Sequence, residues 1–132
     1  IGDFVRGLIQ AGRVTACHDL SDGGLAVGLT EMALAGNMGC LLNDPGVPRH
    51  GRLFGEDQGR YLLAVEPDAV ADLLYSASAQ GIDAAVIGVT GADSLTLPGD
   101  EIITLEDLRG AHEGWLPNYM ARPAADPAVN AA

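Results

Sequence analysis

Helix-like and strand-like patterns alternate along this chain, and the alternation limits the folds that it can adopt. In residues 2–11 apolar side chains recur at the helical period, and Gly12 is the expected C-terminal cap. The next segment, 14–21, has the short apolar run of a buried strand that leads into a polar loop. Further helical and strand-like segments follow in turn. This order predicts an α/β (α+β) domain in which helices pack on a mixed β-sheet.

The later helices are predicted from their periods and from their end signals. A second helix is expected to start at Gly23-Gly24 and to end at Gly36-Asn37. A third is expected to open at Pro67-Asp68. The last is expected to start near Glu106-Asp107, where acidic side chains suit the helix dipole, with Trp115 as a packing anchor.

The remaining strands are predicted from apolar runs bounded by turn residues. The segments MGCLLN, GRYLLAVE and IDAAVIGVTG are each expected to form a strand. SLTLPGDEIITL predicts a hairpin that turns at Pro98-Gly99. The prolines and glycines of Asp44–Gly55 predict a loop. We expect one domain over residues 1–120 and a disordered tail over 121–132, which is rich in proline and alanine.

The charge of the chain argues against two classes of partner. Its formal net charge is −11, whereas nucleic acids and anionic membranes are bound through basic surfaces. All 7 basic residues are arginines, which excludes a Schiff-base lysine and a P-loop lysine. A phosphate site made of backbone N–H groups remains compatible with this charge. We expect a cytoplasmic protein whose Cys17 and Cys40 stay reduced.

The first polar motif, CHDLSDGGL, links a strand to a helix. Its glycines would let an anion approach the N–H groups at the helix N-terminus. Alternatively, Ser21 or Asp22 caps the helix and the glycines serve the turn. His18 is either a hydrogen-bonded residue at the strand end or a catalytic base. The candidate nucleotide- or phosphate-binding residues are His18, Asp19, Ser21, Asp22, Gly23 and Gly24.

The second polar motif, FGEDQGRY, stands just before an apolar strand. Glu56 and Asp57 would share a cation, while Arg60 would bind a phosphate or a carboxylate through two parallel hydrogen bonds. The alternative is a polar loop with an internal pair between Glu56 and Arg60, which stabilises little if it is exposed. Glu56, Asp57, Gln58 and Arg60 are the candidate residues on the substrate or metal side.

These motifs carry a resemblance to a known family. HDLSDGGLAVGLTEMALAG together with LFGEDQGRYLLAV resembles the C-terminal domain shared by aminoimidazole ribonucleotide synthetase and its relatives, thiamine-monophosphate kinase among them. With LRGAHEGWLPNYM added, the chain resembles the formylglycinamidine ribonucleotide synthases specifically, over about residues 14–120. The resemblance implies a three-layer α/β/α domain, the second of two C-terminal-type domains in a longer chain.

The resemblance also implies a reaction and a set of partners. Such synthases use ATP and Mg²⁺ to activate the amide oxygen of formylglycinamide ribonucleotide, and ammonia from a glutaminase then displaces phosphate. The expected partners are the N-type domains and the first C-type domain of the same chain, the glutaminase and small accessory subunits. The family's catalytic residues lie in the N-type domains, so this chain alone is expected to be inactive.

One departure from the family pattern limits how far site residues can be transferred. The first C-type domain of such synthases carries Glu-Ser-Gln where this chain has Glu56-Asp57-Gln58, and the extra carboxylate would repel a phosphorylated substrate. Two alternatives therefore stay open. Besides the synthase domain, the chain could be a domain of another ATP-dependent relative, such as a thiamine-monophosphate kinase, or a structural half-site that binds no ligand.

Two geometric expectations follow from the motifs. The N-terminus of the second helix should face an exposed concavity that Glu56 to Arg60 also line, because α/β folds place ligands beside strand ends. Of Gly23 and Gly24, at least one is expected to serve close approach of an anion and to tolerate alanine without loss of stability.

Overall fold

The computed structural model describes residues 1–43, 49–99 and 101–121. Five α-helices and six β-strands are present in this part of the chain, and a 3₁₀ turn at Pro67–Ala69 leads into the fourth helix. In chain order the elements are α1 (Gly2–Gln10), β1 (Ala16–Asp19), α2 (Gly24–Gly36), β2 (Cys40–Leu42), α3 (Arg49–Phe54), β3 (Tyr61–Ala64), α4 (Val70–Ala79), β4 (Gly88–Thr90), β5 (Ser94–Leu97), β6 (Glu101–Thr104) and α5 (Leu105–Met120).

The described strands pair into two sheets. β1 and β3 form an antiparallel pair. The other four strands are ordered β4-β2-β5-β6, with β2 parallel to β5 and the remaining pairs antiparallel. The predicted hairpin is present as β5 and β6. The prediction of an α+β domain with a mixed sheet is confirmed.

Helix α2 lies at the centre of the hydrophobic core. Apolar residues cover most of its surface, as is typical of a helix that is buried on several sides. Leu25, Leu29 and Ala33 belong to one buried cluster with Cys40 and Leu95 of the mixed sheet. The cluster also includes Leu20, Leu42, Leu53, Leu62 and Leu105. The core therefore joins both sheets through α2, which fixes the position of the N-terminus of α2 relative to β1 and β3.

The C-terminal end of α2 is closed by its own cap and by α5. Asn37 adopts a left-handed conformation at φ 48°, and the N–H of Met38 donates to the carbonyl of Ala33 at 3.0 Å, as in a helix-ending turn. Arg109 of α5 donates to the carbonyl of Leu34 at 3.2 Å. This contact ties the start of α5 to the end of the central helix.

The structure corrects three details of the predicted elements. Residues 49–54, expected in a loop, form helix α3. The fourth strand was expected from Ile82 but begins at Gly88, where pairing with Leu42 starts. Trp115 is not packed in the core, since 64% of its surface is exposed. Most of the predicted tail and residues 44–48 of the predicted loop lie outside the described residues.

No helix in the described ranges is long and apolar enough to cross a membrane.

Candidate functional site

The two polar motifs meet at one concavity of about 340 Å³. Pairing of β1 with β3 places Asp19 opposite Tyr61, and the N–H of Leu20 donates to the carbonyl of Arg60 at 2.9 Å. The segments that leave these strands are thereby held side by side. The concavity is lined by Asp19, Leu20, Ser21, Asp22, Glu56, Gln58, Gly59, Arg60 and Tyr61.

A direct contact also joins the two motifs. The backbone N–H of Gly23 donates to Oε1 of Glu56 at 2.9 Å. Gly23 is the N-terminal cap residue of α2, so a carboxylate of the chain itself lies where a helix dipole favours negative charge. The N–H of Gly24 donates to the carbonyl of Ser21 at 3.1 Å. Both glycine N–H groups therefore have partners within the chain.

The glycine pair satisfies backbone and packing requirements. Gly23 has φ 76° and Gly24 has φ 64°, in the left-handed region that side chains disfavour. A Cβ on Gly24 would lie 2.6 Å from the carbonyl oxygen of Gly55, and one on Gly23 would clash with Cγ2 of Val27. This geometry favours the turn interpretation of the pair and not the expectation that either glycine tolerates alanine. The helix cap itself is Gly23 and not Ser21 or Asp22, as that interpretation had assumed.

Arg60 brings a positive charge to the concavity. Its Nη1 donates to the carbonyl of Gly55 at 3.1 Å and lies 3.8 Å from Oδ2 of Asp57. The side chain of Asp57 is 84% exposed, so this ion pair contributes little to stability. The Arg60 guanidinium, which is partly buried, is thus held beside the concavity mainly by a backbone carbonyl.

His18 is held by groups of the chain on both sides of its ring. Nε2 lies 3.0 Å from Oε2 of Glu31, and Nδ1 is bonded to the carbonyl of Asp19. His18 does not line the concavity. Of the two interpretations of this histidine, the arrangement favours the hydrogen-bonded residue at a strand end over a catalytic base, which must reach a substrate proton.

Acidic side chains dominate the concavity. Asp19, Asp22 and Glu56 line it together with the single basic residue Arg60. A bare polyphosphate would be repelled by this set unless cations balance the charge. Within the described residues, no group of three or more His, Cys, Asp and Glu side chains is placed to hold a metal ion. Mg²⁺ in nucleotide sites usually takes only one or two protein carboxylates together with phosphate oxygens, and Asp19, Asp22 and Glu56 are carboxylates of that kind.

The two cysteines are not activated thiols. Burial raises the pKa of the Cys40 thiol above its ordinary value. Burial, and then the negative charge of Asp19, raises the pKa of the Cys17 thiol. A raised pKa keeps a thiol protonated and weakly nucleophilic near neutral pH.

Three residues of the concavity were missed by sequence reasoning. Leu20, Gly59 and Tyr61 line it beside the predicted residues. Tyr61 could have been predicted from its place opposite Asp19, but that place is known only once β1 and β3 are known to pair. Among the predicted residues, His18, Gly23, Gly24 and Asp57 do not line the concavity, although His18, Gly23 and Asp57 each stand next to a lining residue in the sequence.

Comparison with known proteins identifies the family. The family described as AIR synthase related protein, C-terminal domain, matches residues 1–112. The chain belongs to this family. As a domain of the AIR synthase related family, it shares the fold class that the motifs predicted, and the predicted resemblance is confirmed.

Relatives in the family include synthase subunits. The chain is 54% identical over 121 residues to the phosphoribosylformylglycinamidine synthase subunit PurL of Rhodospirillum rubrum. This matched stretch covers 92% of the chain and 16% of that protein. It is 51% identical to the same subunit of Methylocella silvestris, over 91% of the chain and 16% of that protein. The chain thus spans about a sixth of the length of these relatives.

Solved structures of Thermotoga maritima PurL share the fold. The PurL complexed with ATP matches with a TM-score of 0.69 and 17% identity, over 80% of this chain and 20% of that one. The PurL complexed with FGAR matches with a TM-score of 0.68 and 18% identity, over the same shares.

Proposed function

We propose that this family domain is the part of a phosphoribosylformylglycinamidine synthase that completes an ATP-dependent ligase. The reaction converts formylglycinamide ribonucleotide and ammonia to the amidine, with ATP as the source of activation. The observation that carries the proposal is the 54% identity to the Rhodospirillum rubrum PurL subunit over 121 residues. Structures of a protein with the same fold complexed with ATP and with FGAR support this substrate pair.

The proposal favours a synthase over another ATP-dependent member of the family. A thiamine-monophosphate kinase would carry a motif close to HDLSDGGL. The relatives described above are synthase subunits, and their similarity extends over about nine-tenths of the chain. Within the enzyme we assign the chain to the second C-terminal-type domain, in a cytoplasmic assembly with a glutaminase and small accessory subunits.

The concavity is the part of the domain that we assign to a nucleotide or phosphate site. It lies beside the ends of paired strands, and Ser21, Gln58 and Arg60 bring hydrogen-bond donors to it. Its carboxylates oppose a bare polyphosphate, so a phosphate bound here needs balancing positive charge, either from a metal cation or from other domains of the enzyme. The domain thus forms one wall of a site, not a complete one.

The second candidate function is a supporting domain that binds no ligand. The contact between Gly23 and Glu56 favours it, because the helix N-terminus already has an anionic partner within the chain. The two candidates differ in what they predict for Arg60. If the domain forms a wall of a phosphate site, substitution of Arg60 should change nucleotide affinity. If the domain only supports the fold of the enzyme, the substitution should leave nucleotide affinity unchanged.

The test is a chimera in which this chain replaces the matching segment of the Rhodospirillum rubrum subunit. We expect the chimera to form the amidine with ATP, ammonia and the ribonucleotide, and the isolated chain to form none. An Arg60→Gln chimera should bind ATP more weakly, while a matched Arg6→Gln chimera, changed at a solvent-exposed arginine of α1, should not. A correctly folded but inactive chimera would contradict the synthase assignment. Unchanged ATP affinity in the Arg60→Gln chimera would favour the supporting domain.

A further inference from the structure

The last two turns of α5 expose a large apolar surface. Trp115, Leu116, Tyr119 and Met120 are 64%, 56%, 54% and 73% exposed, and we call these four residues the α5 stripe. Trp115 and Tyr119 are four positions apart, as are Leu116 and Met120, so the four residues lie on one side of the helix. The rings of Trp115 and Tyr119 stack with centroids 5.4 Å apart, which joins them into one continuous patch. Contiguous exposed apolar patches of this kind mark interaction surfaces.

The stripe continues the face on which α5 meets the core. Leu105 is buried, and Leu108 packs against the core one turn later. The same face then passes through Trp115 and Tyr119 after the helix has left the domain. The stripe therefore has the pattern of a core-facing helix without a core against it in the described part of the chain.

The surface of the stripe is apolar and electrically neutral. Glu113 is the only charged residue of positions 113–120, and its carboxylate is paired with Arg109 at 2.7 Å. This neutrality is confined to the end of α5, since the whole chain has a net charge of −11. A neutral apolar helix face suits an apolar groove, the helix-in-groove form of recognition.

The end of α5 has low intrinsic helix stability. Gly110, Gly114 and Pro117 lie within the helix, and glycine and proline are the weakest helix formers. Proline also lacks the N–H that would bond to the preceding turn. Short helices of this composition are marginal in water and are stabilised mainly by tertiary packing. A packing surface against the stripe would supply that stabilisation.

The stripe lies beyond the family domain but within the match to the synthase subunits. The family match ends at residue 112. The match to the Rhodospirillum rubrum subunit covers 121 residues, or 92% of the 132-residue chain. Wherever that stretch starts, it includes positions 113–120. The segment with the stripe is therefore shared with the synthase subunit and is not required by the family fold.

We propose that the α5 stripe docks into an apolar groove on another domain of the same synthase subunit. The proposal rests on the proposed function. The chain spans 16% of the length of its relative, so the greater part of such a subunit lies outside this domain. A groove on the same polypeptide acts at high effective concentration and can order a weak helix permanently. A separate subunit would leave the stripe exposed whenever it dissociates.

The experiment measures amide hydrogen exchange in the intact subunit that carries this chain as its domain. In the subunit alone, without a glutaminase or accessory subunit, the amides of residues 113–120 should exchange on the order of 100-fold more slowly than in an unstructured peptide. The double variant Trp115→Ser/Tyr119→Ser should lose this protection. The matched variant Tyr75→Ser, changed at a 79% exposed tyrosine of α4, should keep it.

Three results would overturn the proposal. The first is fast exchange of residues 113–120 in the intact subunit under all conditions. The second is protection that arises only after a separate subunit is added, which would assign the groove to that subunit. The third is protection that survives the double variant. Amidine formation is measured on the same samples: an inactive subunit with a protected segment contradicts only the proposed function, and an active subunit with an unprotected segment contradicts only the docking.

Discussion

The carboxylate of Glu56 accepts a hydrogen bond from the backbone N–H of Gly23 at 2.9 Å, across 33 positions of sequence. This contact joins the turn that opens α2 to the segment that leads into β3. It also places a fixed negative charge at the N-terminus of the central helix. The relationship bears on both polar motifs, because the chain itself provides an anion beside the helix N-terminus where a phosphate was expected.

Removal of this carboxylate should destabilise the domain. We expect Glu56→Ala to lower the free energy of unfolding by about 0.5–1 kcal/mol, which is less than a buried hydrogen bond to a charged group contributes, because Glu56 is exposed. Glu56→Gln keeps an acceptor oxygen and should lose less. Urea denaturation measures the effect. Glu66→Ala, at an exposed glutamate without a cap hydrogen bond, is the matched control and should be nearly neutral. Equal effects at both positions would argue against a role for the contact.

Alanine at position 24 should be poorly tolerated. Gly24→Ala combines a positive φ of 64° with a Cβ 2.6 Å from the carbonyl oxygen of Gly55, so we expect a loss of at least about 1 kcal/mol. Gly7→Ala is the control, because Gly7 lies in α1 and a Cβ there would meet nothing within 4 Å. The thermal unfolding midpoint should therefore fall for Gly24→Ala, whereas for Gly7→Ala it should rise or stay unchanged. A Gly24→Ala variant as stable as the parent would show that the helix packing can adjust.

Arg109 should stabilise the junction of α2 and α5. Its guanidinium donates to the carbonyl of Leu34 at 3.2 Å, to Oδ1 of Asn37 at 3.5 Å and to Glu113 at 2.7 Å. Arg109→Ala therefore removes three contacts of one planar group. We expect a loss of about 1 kcal/mol, and Arg109→Lys should restore only part of it, since an ammonium group cannot bridge these acceptors in the same way. Arg6→Ala is the control, because the pair with Asp3 is exposed on α1. If Arg109→Lys restored the full stability, the positive charge alone would account for the effect of Arg109.

Alkaline pH should weaken the fold through its thiols. Burial raises the pKa values of Cys17 and Cys40, so the folded chain holds these protons more tightly than the unfolded chain. The associated stability is complete below the ordinary thiol pKa and is lost as pH rises through the folded values, above about 9. Urea midpoints near pH 7 and near pH 10 should differ more for the parent chain than for Cys17→Ser/Cys40→Ala. An identical pH dependence in the two proteins would contradict this.

Local patterns determined the order of the elements and most of the helices and strands. The apolar periods of α1 and α2, the turn at Pro98-Gly99 and the helix end at Asn37 depend on neighbouring residues, so the sequence alone predicts them. The motifs also determined the family, because the polar motifs and the segment after Leu108 are read directly from the residues.

Contacts between distant segments decided the rest. The first paired residue of β4 depends on Leu42, and the exposure of Trp115 depends on where α5 leaves the core. Helix α3 forms in a stretch whose glycines predicted a loop, because tertiary packing against α2 outweighs weak local propensity. Gly24 is constrained by a carbonyl 31 positions away, at Gly55, in addition to its own turn. Such contacts arise only when the chain has folded, and no local pattern records them.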